Sequence, residues 1–320
     1  MLGRRGLWGN LTLTVAVVLL LLFCLFPFVQ IVSTSLKYQS DWGNASLIPV
    51  QINWEAYIEL LGLAPPQDVE LPPSAQRILA NPNLTDEQRQ MIIERFGQTA
   101  DIFPFPQYFL NTILLSGTAA LIALVLAVFG AYAFSRVRFT GQSVIQRSIL
   151  FVYMVGGVLL MVPLYQIAVG VGLASTPWGS VVALVLIYVI QTLPVSLYML
   201  GNYFRTIPYS LEEAAAIDGC SRIETIFQVI IPLSIPMLVT VFIYAFIIAW
   251  NEFLFASVFL RQFDDLYTLP LGLQTLFVSK NAIWDRIMAA SVLTLVPVLV
   301  LFTFAMRNLT GGLAAGGVKE

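Results

Sequence analysis

A chain of 320 residues that is 58% hydrophobic and 11% charged, with a net charge of −2 and a mean hydropathy of +0.83, has too few charges for a soluble globule. It contains no histidine, which excludes the usual metal sites and any Ser-His or Cys-His nucleophile pair. Its two cysteines, Cys24 in an apolar run and Cys220 in a polar loop, imply no disulfide framework.

Six apolar runs reach the length of about 20 residues that a helix needs to cross a bilayer: 11–32, 108–134, 149–170, 179–200, 233–260 and 287–306. The expected fold is all-α and polytopic. The first run is too long for a signal peptide and no A-x-A site follows it, so it reads as a retained anchor. Arg4 and Arg5 precede it without an acid, and Arg136, Arg138 and Arg147 crowd the short 135–148 connection. The positive-inside rule then places both termini in the cytoplasm. Residues 33–107 form an extracytoplasmic loop subdomain in which nine acids face four bases. Within it, Thr85 and Gln88 have capping-box spacing, Met91, Ile92 and Phe96 recur at helical spacing, and Gly97 can end that short helix. The rest divides into a five-helix bundle over 108–306, interrupted at 201–232 by a cytoplasmic loop, and a cytoplasmic tail over 307–320. Five of the six runs contain a proline (Pro27, Pro163, Pro194, Pro236, Pro297), which neighbouring helices can accommodate.

The 201–232 loop has its own local logic. Ser210 and Glu213 match a capping box, so a helix is expected from Leu211 through Ala214, Ala215 and Ala216. Gly219 can end it in the left-handed conformation. Ser221 and Glu224 repeat the box, and Ile223, Ile226, Phe227 and Ile230 predict one apolar face before Pro232 closes the second helix. Glu212, Glu213 and Asp218 offer acid to a basic partner. A helix lying on lipid headgroups would instead carry Lys and Arg on its polar face, where Arg222 stands alone.

With "EAAAIDG" and "FQVIIPLSIP" in view, this loop resembles the EAA loop of binding-protein-dependent ABC importers, matching at Glu213, Ala214, Ala215, Gly219 and Pro232. Val229, Ile231 and Cys220 are mild departures. "INWEAYIELL", "YFLNTILLS", "AWNEFLFASVF" and "GGLAAGGVKE" are similar to segments of the MalG-type, sugar-importing permeases, whereas 64–101 looks like an insertion. The resemblance implies a type I importer permease of six transmembrane helices, with Glu212, Glu213, Ala214, Ala215, Asp218, Gly219, Phe227 and Pro232 coupling it to an ATPase. Implied partners are a second permease subunit, a dimer of ATPase subunits, an extracytoplasmic solute-binding protein, a sugar and membrane lipid. No nucleic acid is implied. The chain itself would hold no cofactor, ATP and Mg being bound by the ATPases, and it would be a transport subunit of a bacterial or archaeal inner membrane rather than an enzyme.

Glu252 is the one acid inside a predicted crossing; with Asn251 and Trp250 it either lines the solute path or only reaches the outer interface. The tail spaces Gly312 and Gly317 as in a phosphate-binding loop, but Val318 replaces the needed lysine. Three other functions stay open on sequence alone: import of a different small solute such as a polyamine, an ion-coupled secondary carrier, for which no paired intramembrane charges or clear repeat are visible, and a non-transporting membrane scaffold that recruits a partner through the loop.

Overall fold

The computed structural model describes residues 7–38, 41–44, 46–63, 78–79, 84–85, 88–89, 103–154, 157–278 and 284–316. Among these the regular structure is helical: α1 Leu7–Ser35, α2 Glu55–Leu60, α3 Phe105–Arg136, α4 Gln142–Met154, α5 Met161–Gly170, α6 Pro177–Thr206, α7 Tyr209–Ile217, α8 Arg222–Leu233, α9 Ile235–Trp250, α10 Leu254–Phe259, α11 Leu269–Val278 and α12 Trp284–Gly316. The chain divides into two compact units, one of Met1–Pro106 with Leu273–Thr294, the other of Gln107–Gly272 with Leu295–Glu320.

Four of the expected crossings are continuous and long enough to span: Leu13–Ser35, Phe105–Arg136, Pro177–Thr206 and Trp284–Met306. Pro27, Pro194 and Pro297 lie inside these helices without ending them. The crossing expected at 149–170 is shared between α4 and the apolar stretch Gly157–Gly170, neither of which alone has spanning length. The crossing expected at 233–260 is also divided. Arg222–Leu233 and Ile235–Trp250 meet at 85°, and α9 stops at Trp250. The bend has an identifiable cause: Pro232 and Pro236 each lack an N–H, and residues 226–230 form a π-helical turn.

In the first unit, the segment after α1 is tied down by polar contacts. Lys37 is buried, and its Nζ donates to the carbonyls of Asn44 (2.8 Å) and Ser46 (2.6 Å). Asn53 donates to Asp285 at 3.2 Å, and Arg286 pairs with Glu59 at 2.6 Å, joining α2 to the first turn of α12. Burial pushes the Glu59 carboxyl above its ordinary pKa despite the opposing Arg286 charge. Thr85 and Gln88 make both bonds of the expected capping box; Met91, Ile92, Phe96 and Gly97 fall outside the described residues.

The second unit packs α6 against α3 and α9. Ala119, Ala120, Ala123, Ala127 and Ala131 are at most 1% exposed along α3, and such small residues let helices approach closely where lipid supplies no hydrophobic drive. At Gly130 an added Cβ would lie 2.5 Å from Leu197 Cδ2, so a larger residue there would have to displace the end of the Leu197 side chain.

Candidate functional site

The acidic elbow is built from α7 and α8. The helix α7 starts at Tyr209, with Pro208 (φ −59°) as its N-cap and no side-chain cap bond. The expected Ser210–Glu213 box is therefore absent. Proline already fixes the entry dihedral, so the helix begins two residues earlier and Ser210 falls inside it. The C-terminal end agrees with the expectation. Gly219 has φ +90°, Cys220 N–H donates to Ala215 O (2.9 Å) and Gly219 N–H to Ala216 O (3.1 Å), the paired bonds of a Schellman motif. Ser221 then caps α8 reciprocally: Glu224 N–H donates to Ser221 Oγ (3.3 Å), and Ser221 N–H to Glu224 Oε2 (2.7 Å). Hydrogen bonding from the Ser221 hydroxyl, and then from its backbone N–H, holds the Glu224 carboxyl below its ordinary pKa.

The apolar face expected on the second helix is split. Ile226 and Ile230 are buried against Val128, Tyr132, Leu200 and Phe204, whereas Ile223 is 63% and Phe227 55% exposed. Residues four apart keep nearly one direction in a π turn, and the wider turn carries Phe227 outward, although its ring still lies 6.2 Å from that of Phe129. Nor does Pro232 close the helix, which runs on to Leu233.

The faces of α7 also differ from expectation. Ala215 is buried, and Glu212 turns inward to pair with Arg136, Nε to Oε1 at 2.7 Å; the two side chains are 4% and 11% exposed. Tyr132 Oη donates to the other Glu212 oxygen at 3.1 Å. Glu212 and Ala215 thus face inward and are not part of an outward acidic face. Glu213, Ala214, Ala216, Ile217 and Asp218 are exposed, Ile217 by 86%. Arg136, Tyr132 and Ile217 carried no site signal in the sequence. Arg136 counted only toward topology, although its place at the end of an apolar run leaves its cation to be satisfied by protein.

The break after α9 holds the other trio. Glu252 is not within a helix. Its Oε1 accepts from Phe255 N–H (2.8 Å), and its Oε2 from Ala256 N–H (3.1 Å) and Tyr188 Oη (2.8 Å), so it caps α10. Trp250 is 1% exposed, stacked on Phe246 with centroids 5.4 Å apart and edge-on to Phe109 at 5.8 Å. That ring is a packing element of this chain. Asn251 is exposed and donates to Ile247 O at 2.9 Å.

Residues 121–314 match the family described as "Binding-protein-dependent transport system inner membrane component". Over 218 residues, 68% of this chain and 76% of the relative, the sequence is 44% identical to "Inner membrane ABC transporter permease protein YcjP" of Escherichia coli (strain K12). It is 33% identical over 309 residues, 94% of each chain, to "Maltose/maltodextrin transport system permease protein MalG" of the same organism. The fold is similar to a chain in the crystal structure of "a bacterial ABC transporter involved in the import of the acidic polysaccharide alginate", with a TM-score of 0.71 and 22% identity over 96% of this chain and 98% of that one.

Proposed function

Because the chain belongs to the family of binding-protein-dependent transport system inner membrane components, and is thus a multi-pass ABC importer permease and not an enzyme, we propose that its cargo is a sugar or oligosaccharide. The naming of a relative 33% identical over 94% of this chain for maltose and maltodextrin supports that cargo class. The permease forms half of the pathway beside a second permease subunit. An extracytoplasmic binding protein delivers the solute, and a dimer of ATPase subunits, holding ATP and Mg, drives alternation. The chain itself binds no cofactor. Both termini face the cytoplasm of a bacterial or archaeal cell, and 33–107 faces outward.

The observation that carries the coupling role is the outward face of α7. A helix end that exposes 86% of Ile217 beside Glu213 and Asp218, while Glu212 and Ala215 hold it from within, is prepared for a protein partner. Gly219 and the Ser221–Glu224 box fix its angle, and Phe227 extends the exposed surface. ATP binding on the partner favours one arrangement of the bundle and release favours the other. At the α9–α10 break, Asn251 is the exposed residue placed to meet solute, with Glu252 and Trp250 shaping the turn behind it.

Reconstitution tests this reading. Vesicles containing the purified complex should take up labelled maltodextrin only with the binding protein outside and ATP inside. Uptake driven by a proton or sodium gradient without ATP would refute it. Replacing Ile217 with Asp should reduce recovery of the ATPase subunits with the permease, leaving the permease itself folded.

A further inference from the structure

We infer that Arg136 is the positioning residue that transmits motion of α7 to the ends of two spanning helices, an inference that rests on the coupling role proposed above. Three helix ends converge on this guanidinium. Arg136 is the last residue of α3. Its Nη2 donates to the carbonyls of Phe204 and Ile207, each at 2.7 Å, at the C-terminal end of α6, where Phe204 O also accepts from Ile207 N–H at 3.2 Å. Its Nε pairs with Glu212 in the first turn of α7 at 2.7 Å.

The charges match the helix dipoles. A cation meets the negative ends of α3 and α6, and a carboxylate meets the positive end of α7. Aromatic contacts complete the clamp. The Arg136 Cζ lies 4.5 Å over the Tyr209 ring, Tyr209 Oη donates to the Arg136 carbonyl at 3.0 Å, and Tyr132 Oη donates to Glu212 at 3.1 Å.

Stability alone is a weak reason for this arrangement. Taking two charges out of water costs about as much as their attraction returns, so a buried pair often adds little net stability. What the contact does supply is geometry. A planar guanidinium that binds two carbonyls and a carboxylate in fixed directions makes α3, α6 and α7 turn together. Lysine, a point charge on a flexible stem, cannot hold all three. Without the clamp, α7 would still be tied to the bundle through Ala215 and the chain on either side, but would tilt on its own.

The test uses the complete complex in proteoliposomes, with permease–ATPase recovery, ATP hydrolysis and ATP-driven uptake measured together for Arg136→Lys, Glu212→Gln and wild type. The expected result is a complex that still assembles but in which uptake per ATP hydrolysed falls about tenfold, as for loss of a coupling energy in the usual 1–3 kcal/mol range. An unchanged ratio in both variants would overturn the inference. Loss of assembly in both would also overturn it, since the contact would then be structural only. If the wild-type complex recovers no ATPase, the failure belongs to the function proposed above.

Discussion

Tyr188 donates a hydrogen bond of 2.8 Å to Glu252 from a fully buried position on α6, while the same carboxylate caps the first turn of α10 through Phe255 and Ala256. Three donors on one carboxylate leave it little capacity for cargo. Glu252→Gln replaces one acceptor oxygen with a donor and leaves a donor at the break unpaired, at a cost of about 1–3 kcal/mol. The expected outcome is a lower thermal midpoint of the purified complex with the KM for solute unchanged. Tyr188→Phe should lower the midpoint less, because both backbone bonds remain. A raised KM with an unaltered midpoint would place the carboxylate on the solute instead.

Gly219 allows its role to be separated from packing. An added Cβ there would meet nothing within 4 Å, so substitution acts through φ +90° alone. Alanine in the left-handed region should cost about 1–2 kcal/mol, and asparagine less. Relaxing that strain opens the Schellman bonds and swings α7 relative to α8. Gly219→Ala should therefore reduce ATPase recovery more than Gly219→Asn does, and valine should reduce it most. Equal recovery for all three would show that the elbow angle is not set here.

The Ser221–Glu224 box has a defined pH window. The folded Glu224 pKa is depressed, so the carboxylate stabilises the elbow at pH values above the ordinary glutamate pKa of about 4.3, and that contribution is lost as pH falls through the lower folded value. Amide exchange across 221–225, corrected for the intrinsic rate, should accelerate between pH 6 and pH 3.5 in wild type. In Ser221→Ala it should be fast at pH 6 already and change less. A pH-independent pattern in wild type would mean that the box does not hold α8.

The features legible in the sequence share short-range partners. The Ser221–Glu224 and Thr85–Gln88 boxes each span three residues, and the Gly219 terminus depends on its own φ and the preceding turn. Four crossings were legible because each is continuous and apolar. Illegible were features decided by distant neighbours. Glu212 looked like docking charge because Arg136 lies two spanning helices' ends away from it in the chain order, and nothing in either neighbourhood announces the pair. Ser210 failed as a cap because Pro208 starts the helix first. The π turn at 226–230 and the halt at Trp250 arise where Pro232, Pro236 and the Glu252 cap compete with helical periodicity, and an apolar count reads through both.

Thr112 bonds α3 to the start of α11, and its effect is measurable separately from the elbow. Its Oγ1 donates to Tyr108 O at 2.6 Å and accepts from Leu269 N–H at 2.7 Å, with Thr112 1% exposed and Leu269 fully buried. Leu269 opens its helix, so that N–H has no helical acceptor and no water to replace the hydroxyl. Valine is nearly isosteric but cannot accept, so Thr112→Val should destabilise by about 1–3 kcal/mol, seen as a lower thermal midpoint of the purified complex. Thr112→Ser keeps the oxygen and should avoid most of that loss. If valine melts with the wild type, the hydrogen bond does not set the stability at this contact.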